Sequence, residues 1–169
     1  MNSKSFASLI AAGVLTCLAS VARAQVPPPV PVYGANVTIE QARKTLLAAI
    51  AEADKQKLPM AVAIVDNAGQ LVAFERMNNT QTASTVIAQE KAVSAATLRR
   101  PTKALQDGLA AGGVGLRFLA LHNAVPIEGG VPITVDGKII GGIGVSGGSS
   151  EQDGMIAKAG LDGLAAAAK

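Results

Sequence analysis

Apolar residues between Thr38 and Lys57 recur three and four positions apart, at Ile39, Ala42, Leu46, Ala49, Ile50 and Ala53, and so fall on one face of a helix. Thr38 and Gln41 have capping-box spacing at its start, and Pro59 bars continuation near Lys57. The pattern then changes period. Met60 to Val65 is a short β-rich apolar run, Asp66-Asn67-Ala68-Gly69 is turn chemistry, and Leu71 to Phe74 resumes strand character, which predicts a hairpin. From Thr82 to Leu98 the residues Val86, Ala88, Ala92, Ala95 and Ala96 are mostly small and helix-compatible, and Pro101 closes the segment. Side chains this small predict a helix lying close on a sheet. Thr102 to Ala111 reads as a short helix ending at Gly112-Gly113, whereas Leu116 to Leu121 suits strand and helix equally. Val131 to Val135, the two-residue turn Asp136-Gly137 and Lys138 to Val145 make the strongest hairpin signal in the chain. Ser149, with Gln152 three residues on, caps a final helix through Ala167.

Helix, hairpin, one or two helices, hairpin, helix is not the alternation of a parallel βαβ sheet. It predicts an α+β single domain: a central antiparallel sheet with helices packed on it, profilin-like in arrangement.

The chain ahead of that domain has a different character. Lys4, an apolar run from Phe6 to Leu18 and the small-x-small triplet Ala22-Arg23-Ala24 form the pattern of a signal peptide over residues 1–24. Lipidation at Cys17 is a weaker alternative, because Thr16 is poorly suited to that position. Residues 25–36 include Val26-Pro27-Pro28-Pro29-Val30-Pro31 and predict an extended leader or tether, with the domain itself over 37–169. A periplasmic or secreted protein follows, free of the membrane once the signal is cleaved.

Cleavage also alters the chemistry on offer. The net charge of +3 includes Lys4 and Arg23, and without them the two signs nearly balance, so nucleic acid is not an expected partner. Only Tyr33, Phe74 and Phe118 remain as aromatic platforms, too few for stacking successive bases. Cys17, the only cysteine, leaves with the signal, which excludes a disulfide and a thiolate nucleophile from the domain.

Two familiar motifs fail on context. Gly142-Ile143-Gly144-Val145-Ser146-Gly147 spells the dinucleotide fingerprint, yet too little chain follows the last helix for another parallel strand. Gly144 to Gly148 spells the nucleophile elbow of hydrolases, but the sole histidine, His122, precedes the serine in a fold whose order places it after. What survives is a glycine-rich turn, Ser146-Gly147-Gly148, feeding a helix N-terminus. Such a turn exposes backbone N–H groups suited to a carboxylate or phosphate. If the last hairpin pairs as drawn, Gly129-Gly130-Val131-Pro132 reaches the same end of the sheet and completes a candidate pocket. Arg76 and Lys91 are candidate partners for an anionic group, and Phe74 and Met77 for an apolar face. His122 is a candidate metal ligand or general base. A lone histidine is not a zinc or mononuclear iron site, but haem needs only an axial donor because the porphyrin supplies four nitrogens. Without a C-x-x-C-H motif, such haem is non-covalent.

Taken together in order, Asp66-Asn67-Ala68-Gly69, Phe74-Glu75-Arg76-Met77, Gln89-Glu90-Lys91-Ala92, Gly129 to Ile133, Asp136-Gly137, Gly141 to Gly148 and Gln152-Asp153 resemble the GlcG/HbpS-like family, which is related to the C-terminal domain of PduO-type proteins. The resemblance spans roughly residues 38 to 168. It implies a compact α/β domain with a central antiparallel sheet, homo-oligomeric assembly, and in some members haem binding or the label of haem degradation. It assigns no axial ligand in this sequence, so His122 rests on the residues alone.

Three functions remain in competition. The leading one is a binding protein for haem or a related tetrapyrrole, with no catalysis required. The second is an enzyme, degrading haem with oxygen or acting on a small organic acid, with Arg76 holding a carboxylate and His122 or Glu90 moving a proton. The third is an oligomeric accessory or sensory module.

Overall fold

The computed structural model describes residues 29–166; the signal segment and Ala167 fall outside them. The first helix, α1 (Ile39–Lys55), opens on the expected capping box: the Gln41 amide donates to Thr38 Oγ1 at 3.2 Å while the Thr38 amide donates to Gln41 Oε1 at 2.9 Å. Strands β1 (Ala61–Asp66) and β2 (Leu71–Arg76) form the first hairpin. The Asp66 carboxylate holds its turn by accepting from the amides of Ala68 and Gln70, each at 2.9 Å. Helices α2 (Ser84–Leu98) and α3 (Thr102–Ala110) follow, then a 3₁₀ helix over Gly113–Ala120. The second hairpin, β3 (Gly130–Val135) and β4 (Lys138–Ser146), turns through Asp136 and Gly137 at φ +50° and +72°, the left-handed pair a two-residue hairpin demands. Helix α4 (Ser150–Ala166) ends the described chain.

The sheet runs β2-β1-β4-β3 and every neighbouring pair is antiparallel, as the order of elements required. Helices α1 and α4 cover one face, over a core of Leu46, Ile50, Val62, Ile64, Ile143, Val145 and Ile156. The other face is built of small residues: Ala61, Ala63 and Val65 of β1 meet Ala88, Ala92 and Ala96 of α2. Here α2 lies almost directly on the backbone of β4. A Cβ at Gly142 would come 2.5 Å from the Ala92 carbonyl oxygen, and one at Gly144 would come 2.5 Å from the Ala92 amide nitrogen. Gly144→Ala is therefore expected to cost about 3 kcal/mol by overpacking, read as a lowered urea midpoint with an unchanged slope. An unchanged midpoint would show that α2 can slide away without loss.

Two segments gain their conformation from contacts rather than from local pattern. The ambiguous stretch around Leu116 winds as a 3₁₀ helix because Gly112 and Gly113, at φ +68° and +53°, turn the chain sharply out of α3. Phe118 then lies over Gly108, where a Cβ would fall 2.5 Å from its ring. The described end of the leader docks: the Ile139 amide donates to the Val32 carbonyl at 2.9 Å, the Gly34 amide to Ile139 O at 2.8 Å, and the Val37 amide to Ile140 O at 2.7 Å. β4 extends beyond β1 at this end, and these bonds satisfy its otherwise open edge. Tyr33 Oη donates to the carbonyls of Ala96 and Thr97 at 3.1 and 3.0 Å, tying the leader to the C-terminal end of α2. No helix among the described residues is long and apolar enough to cross a membrane.

Candidate functional site

Register brings most of the sequence-derived site residues to one end of the sheet. Arg76 and Ser146 both pair with Ala61, and the Val145 amide donates to Gly129 O at 2.9 Å, so the two glycine regions do meet. They meet by filling one another. Lys91 extends from α2 into this junction with its side chain 1% exposed, donating to Asp153 Oδ2 at 2.7 Å and to Val145 O at 3.1 Å. The second carboxylate oxygen of Asp153 accepts from the Gly148 amide at 3.0 Å. Burial raises the Asp153 carboxyl above its usual value, against the opposing pull of the Lys91 ammonium and the Gly147 and Gly148 amides.

The glycines serve this ion pair by their lack of a side chain. Gly129, at φ +126°, would place a Cβ 2.8 Å from Lys91 Nζ, and Gly147 would place one 2.8 Å from Met60 Sδ. Gly130 donates its amide to Thr102 Oγ1 at 2.9 Å, and Ser146 Oγ donates to Ser84 Oγ at 3.1 Å. Lys91, Gly129, Gly130 and Ser146 are buried in these contacts, and Lys91 is not presented to a ligand; Gly148 alone of the group lies exposed. Val131 packs against the α1/α4 core, while half-buried Pro132 lines a separate cleft with Leu161 and Leu164.

The β2 residues divide between the two faces. Phe74 packs beside Ala63 on the α2 face, exposed Arg76 follows it on the same face, and Met77 turns under to accept from the Met60 amide through Sδ at 3.4 Å. Phe74 and Met77 line different clefts, and Arg76 lines neither of those two.

A different concavity lies on the outer side of α2. Val86, Gln89, Glu90 and Val93 face Asn123, Ala124 and Val125 across a cleft of about 420 Å³. Ser94 pins the loop: its Oγ donates to Asn123 O and accepts from the Val125 amide at 2.9 Å. Asn123, at φ +58°, turns the chain there. His122 is exposed immediately before the lining begins and makes no side-chain hydrogen bond among the described residues. Four lining residues, Val86, Val93, Ala124 and Val125, are apolar, and Gln89, Glu90 and Asn123 supply polar groups. Among the described residues no group of three or more His, Cys, Asp and Glu side chains converges to hold a bare metal ion. A porphyrin asks less of the chain, apolar contact and one donor: Val86, Val93, Ala124 and Val125 supply the contact, and His122 stands one residue outside that lining.

The sequence reading missed two features. Asp153 reads locally as an ordinary helix N-terminal acid, and only its placement opposite Lys91 gives it a buried role. The cleft was missed because its walls are 30 residues apart; Val86, Glu90 and Val93 at helical spacing were the available signal for one wall.

The architecture is that of a single-domain α+β protein with a two-sided antiparallel sheet and a largely apolar cleft on the outer side of α2. A family profile described as "Haem degrading protein HbpS-like" matches residues 37–162, and the chain belongs to that family. Protein GlcG of Escherichia coli K12 is 39% identical over 95 residues, which cover 56% of this chain and 69% of GlcG. Among solved structures, a PduOC:haem complex superposes with a TM-score of 0.69 at 30% identity, covering 76% of this chain and 94% of that one. HbpS superposes with a TM-score of 0.71, also at 30% identity, over 78% and 92% of the two chains.

Proposed function

We propose that this protein is a secreted or periplasmic binding protein for haem or a closely related tetrapyrrole, held without a covalent link and without catalysis being required. The observation that carries the reading is the largely apolar cleft between α2 and residues 123–125, which His122 directly precedes in the chain. Membership of a haem-related family and the haem complex formed by the related PduO domain support it. When bound, haem supplies a redox-active iron and an intense absorption. The chain's own part would be to hold the group, with His122 offering an imidazole and Val86, Val93 and Val125 apolar contact. Gln89 is held by its Nε2 donating to Thr85 O at 2.8 Å, which leaves its carbonyl end for the ligand's rim. Arg76, exposed at the sheet end, is the alternative anion partner if the tetrapyrrole sits there instead; Lys91 is excluded by burial. Assembly into a homo-oligomer and export through the 1–24 segment belong to the same proposal.

The test is a haemin titration of protein recovered from the periplasmic fraction, with its N-terminal residue read by mass spectrometry. Saturable growth of a Soret band at about one haem per chain, on a chain beginning at Gln25, is the expected result. No saturable binding sinks the haem reading, and a chain retaining Met1 sinks the export reading. Loss of the Soret band with release of iron on adding ascorbate in air, insensitive to catalase, would replace binding by haem degradation.

A further inference from the structure

Both edges of the four-stranded sheet end on strands with one neighbour, but they are not equivalent. β3 carries Pro132, a residue that blunts an edge. β2 is Leu71-Val72-Ala73-Phe74-Glu75-Arg76, with neither proline nor lysine, and its bulge is confined to Val72, leaving Ala73 to Arg76 in regular extension. The Met77 amide donates inward to Met60 O at 2.9 Å, so by alternation the amides of Glu75 and Ala73 also face β1. The backbone N–H and C=O groups of Phe74 and Arg76 therefore point outward from the sheet.

Beside that edge, between α1 and β2, lies a cleft of about 440 Å³ lined by Arg43, Leu46, Leu47, Ala73 and Glu75. Leu47, which lines it, exposes 60% of its surface. Arg43 and Glu75 are both exposed, and neither belongs to an ion pair among the described residues.

We propose that β2 joins β2 of a second copy about a twofold axis through Phe74, making one continuous antiparallel sheet; this rests on the homo-oligomer reading above and names its surface. In that register Phe74 opposes Phe74 of the other copy, and each exchanges two backbone hydrogen bonds across the axis. Glu75 of one copy falls opposite Ala73 of the other, on the face that carries Arg43. One geometry thus satisfies the open edge and brings Glu75 of each copy to the face that carries Arg43 of the other, giving two symmetry-related Arg43–Glu75 pairs, because the patch contains both signs and is complementary to itself. The next-nearest register, centred on Glu75, would oppose two carboxylates and is disfavoured.

Sedimentation equilibrium without haem tests this on the wild type, Arg43→Glu, Glu75→Arg and the double reversal. Each single variant, folded by far-UV circular dichroism, is expected to weaken self-association by at least about tenfold. The double reversal is expected to restore it, since the two signs are then exchanged together. As a second reading, Phe74→Cys in a Cys17→Ser background should oxidise to a disulfide-linked dimer, because residues paired this way lie about 5.5 Å apart between Cα atoms. Association unmoved by the single reversals, a double reversal that stays weakened, or absence of the cross-link overturns the β2 surface while leaving oligomerisation standing. A wild type that is monomeric at every concentration overturns both, and neither outcome bears on haem binding.

Discussion

Replacing Lys91 by methionine is expected to cost about 3 to 5 kcal/mol, the largest stability effect of any single side chain at the glycine junction. Among the described residues the ammonium is the only cation paired with the Asp153 carboxylate, whose side chain is 4% exposed, and it also satisfies Val145 O. Methionine fills the volume but leaves a buried anion with only the loop amides. Burial already raises the Asp153 carboxyl above its ordinary 3.8, and loss of Lys91 removes an opposing influence, so the shift grows in the variant. The sign of the pH dependence follows. A group whose folded value exceeds its unfolded value contributes stability below the unfolded value and loses it as pH rises through the folded one. The deficit of the variant should therefore be small in acid, where Asp153 is neutral in both states, and widen towards neutrality. Urea denaturation over about pH 4 to about pH 8 reads this directly. Lys91→Met with Asp153→Leu should recover most of the loss, because a buried pair replaced by apolar groups of similar size is often neutral. A deficit that is flat with pH, or a double variant no better than the single, would mean that Asp153 is not the uncompensated charge.

His122→Ala is expected to weaken haem binding by at least about tenfold and to displace the Soret maximum, because the change would remove the imidazole proposed to hold the iron. His122 is exposed and unbonded among the described residues, so the urea midpoint should not move with it. That separation of affinity from stability makes the variant informative. Arg76→Ala, made in parallel, distinguishes the two places a tetrapyrrole could sit. If His122→Ala binds normally while Arg76→Ala does not, the ligand lies at the sheet end and the α2 cleft is not its site. If neither variant alters the spectrum or the affinity, both assignments fail.

The elements themselves were largely legible because their signals are local. The Thr38 capping box, the Asp136-Gly137 turn and the alanine stripe of α2 each bias the backbone within a few residues, and the antiparallel order follows from how those elements succeed one another. Even the convergence of Gly129 and Gly147 at one end was implied by the pairing of β3 with β4. What could not be read was the content of that convergence. Glycines that admit a ligand and glycines that admit a neighbouring backbone leave the same mark in a sequence, and only the positions of Lys91, Asp153 and Met60 decide between them.

Residue type and short-range spacing were enough for the helices and strands, their antiparallel order, the absence of cysteine chemistry downstream of Cys17 and the presence of a single histidine. Only the folded chain decides that Lys91 is spent on Asp153, that residues 113–120 wind as a 3₁₀ helix, that the leader closes an edge of β4, and that residues 123–125 form a cleft with α2. Those outcomes depend on side chains tens of residues apart meeting at van der Waals distance. Burial, rather than local propensity, then sets which polar groups are satisfied within the protein and which remain available to a ligand.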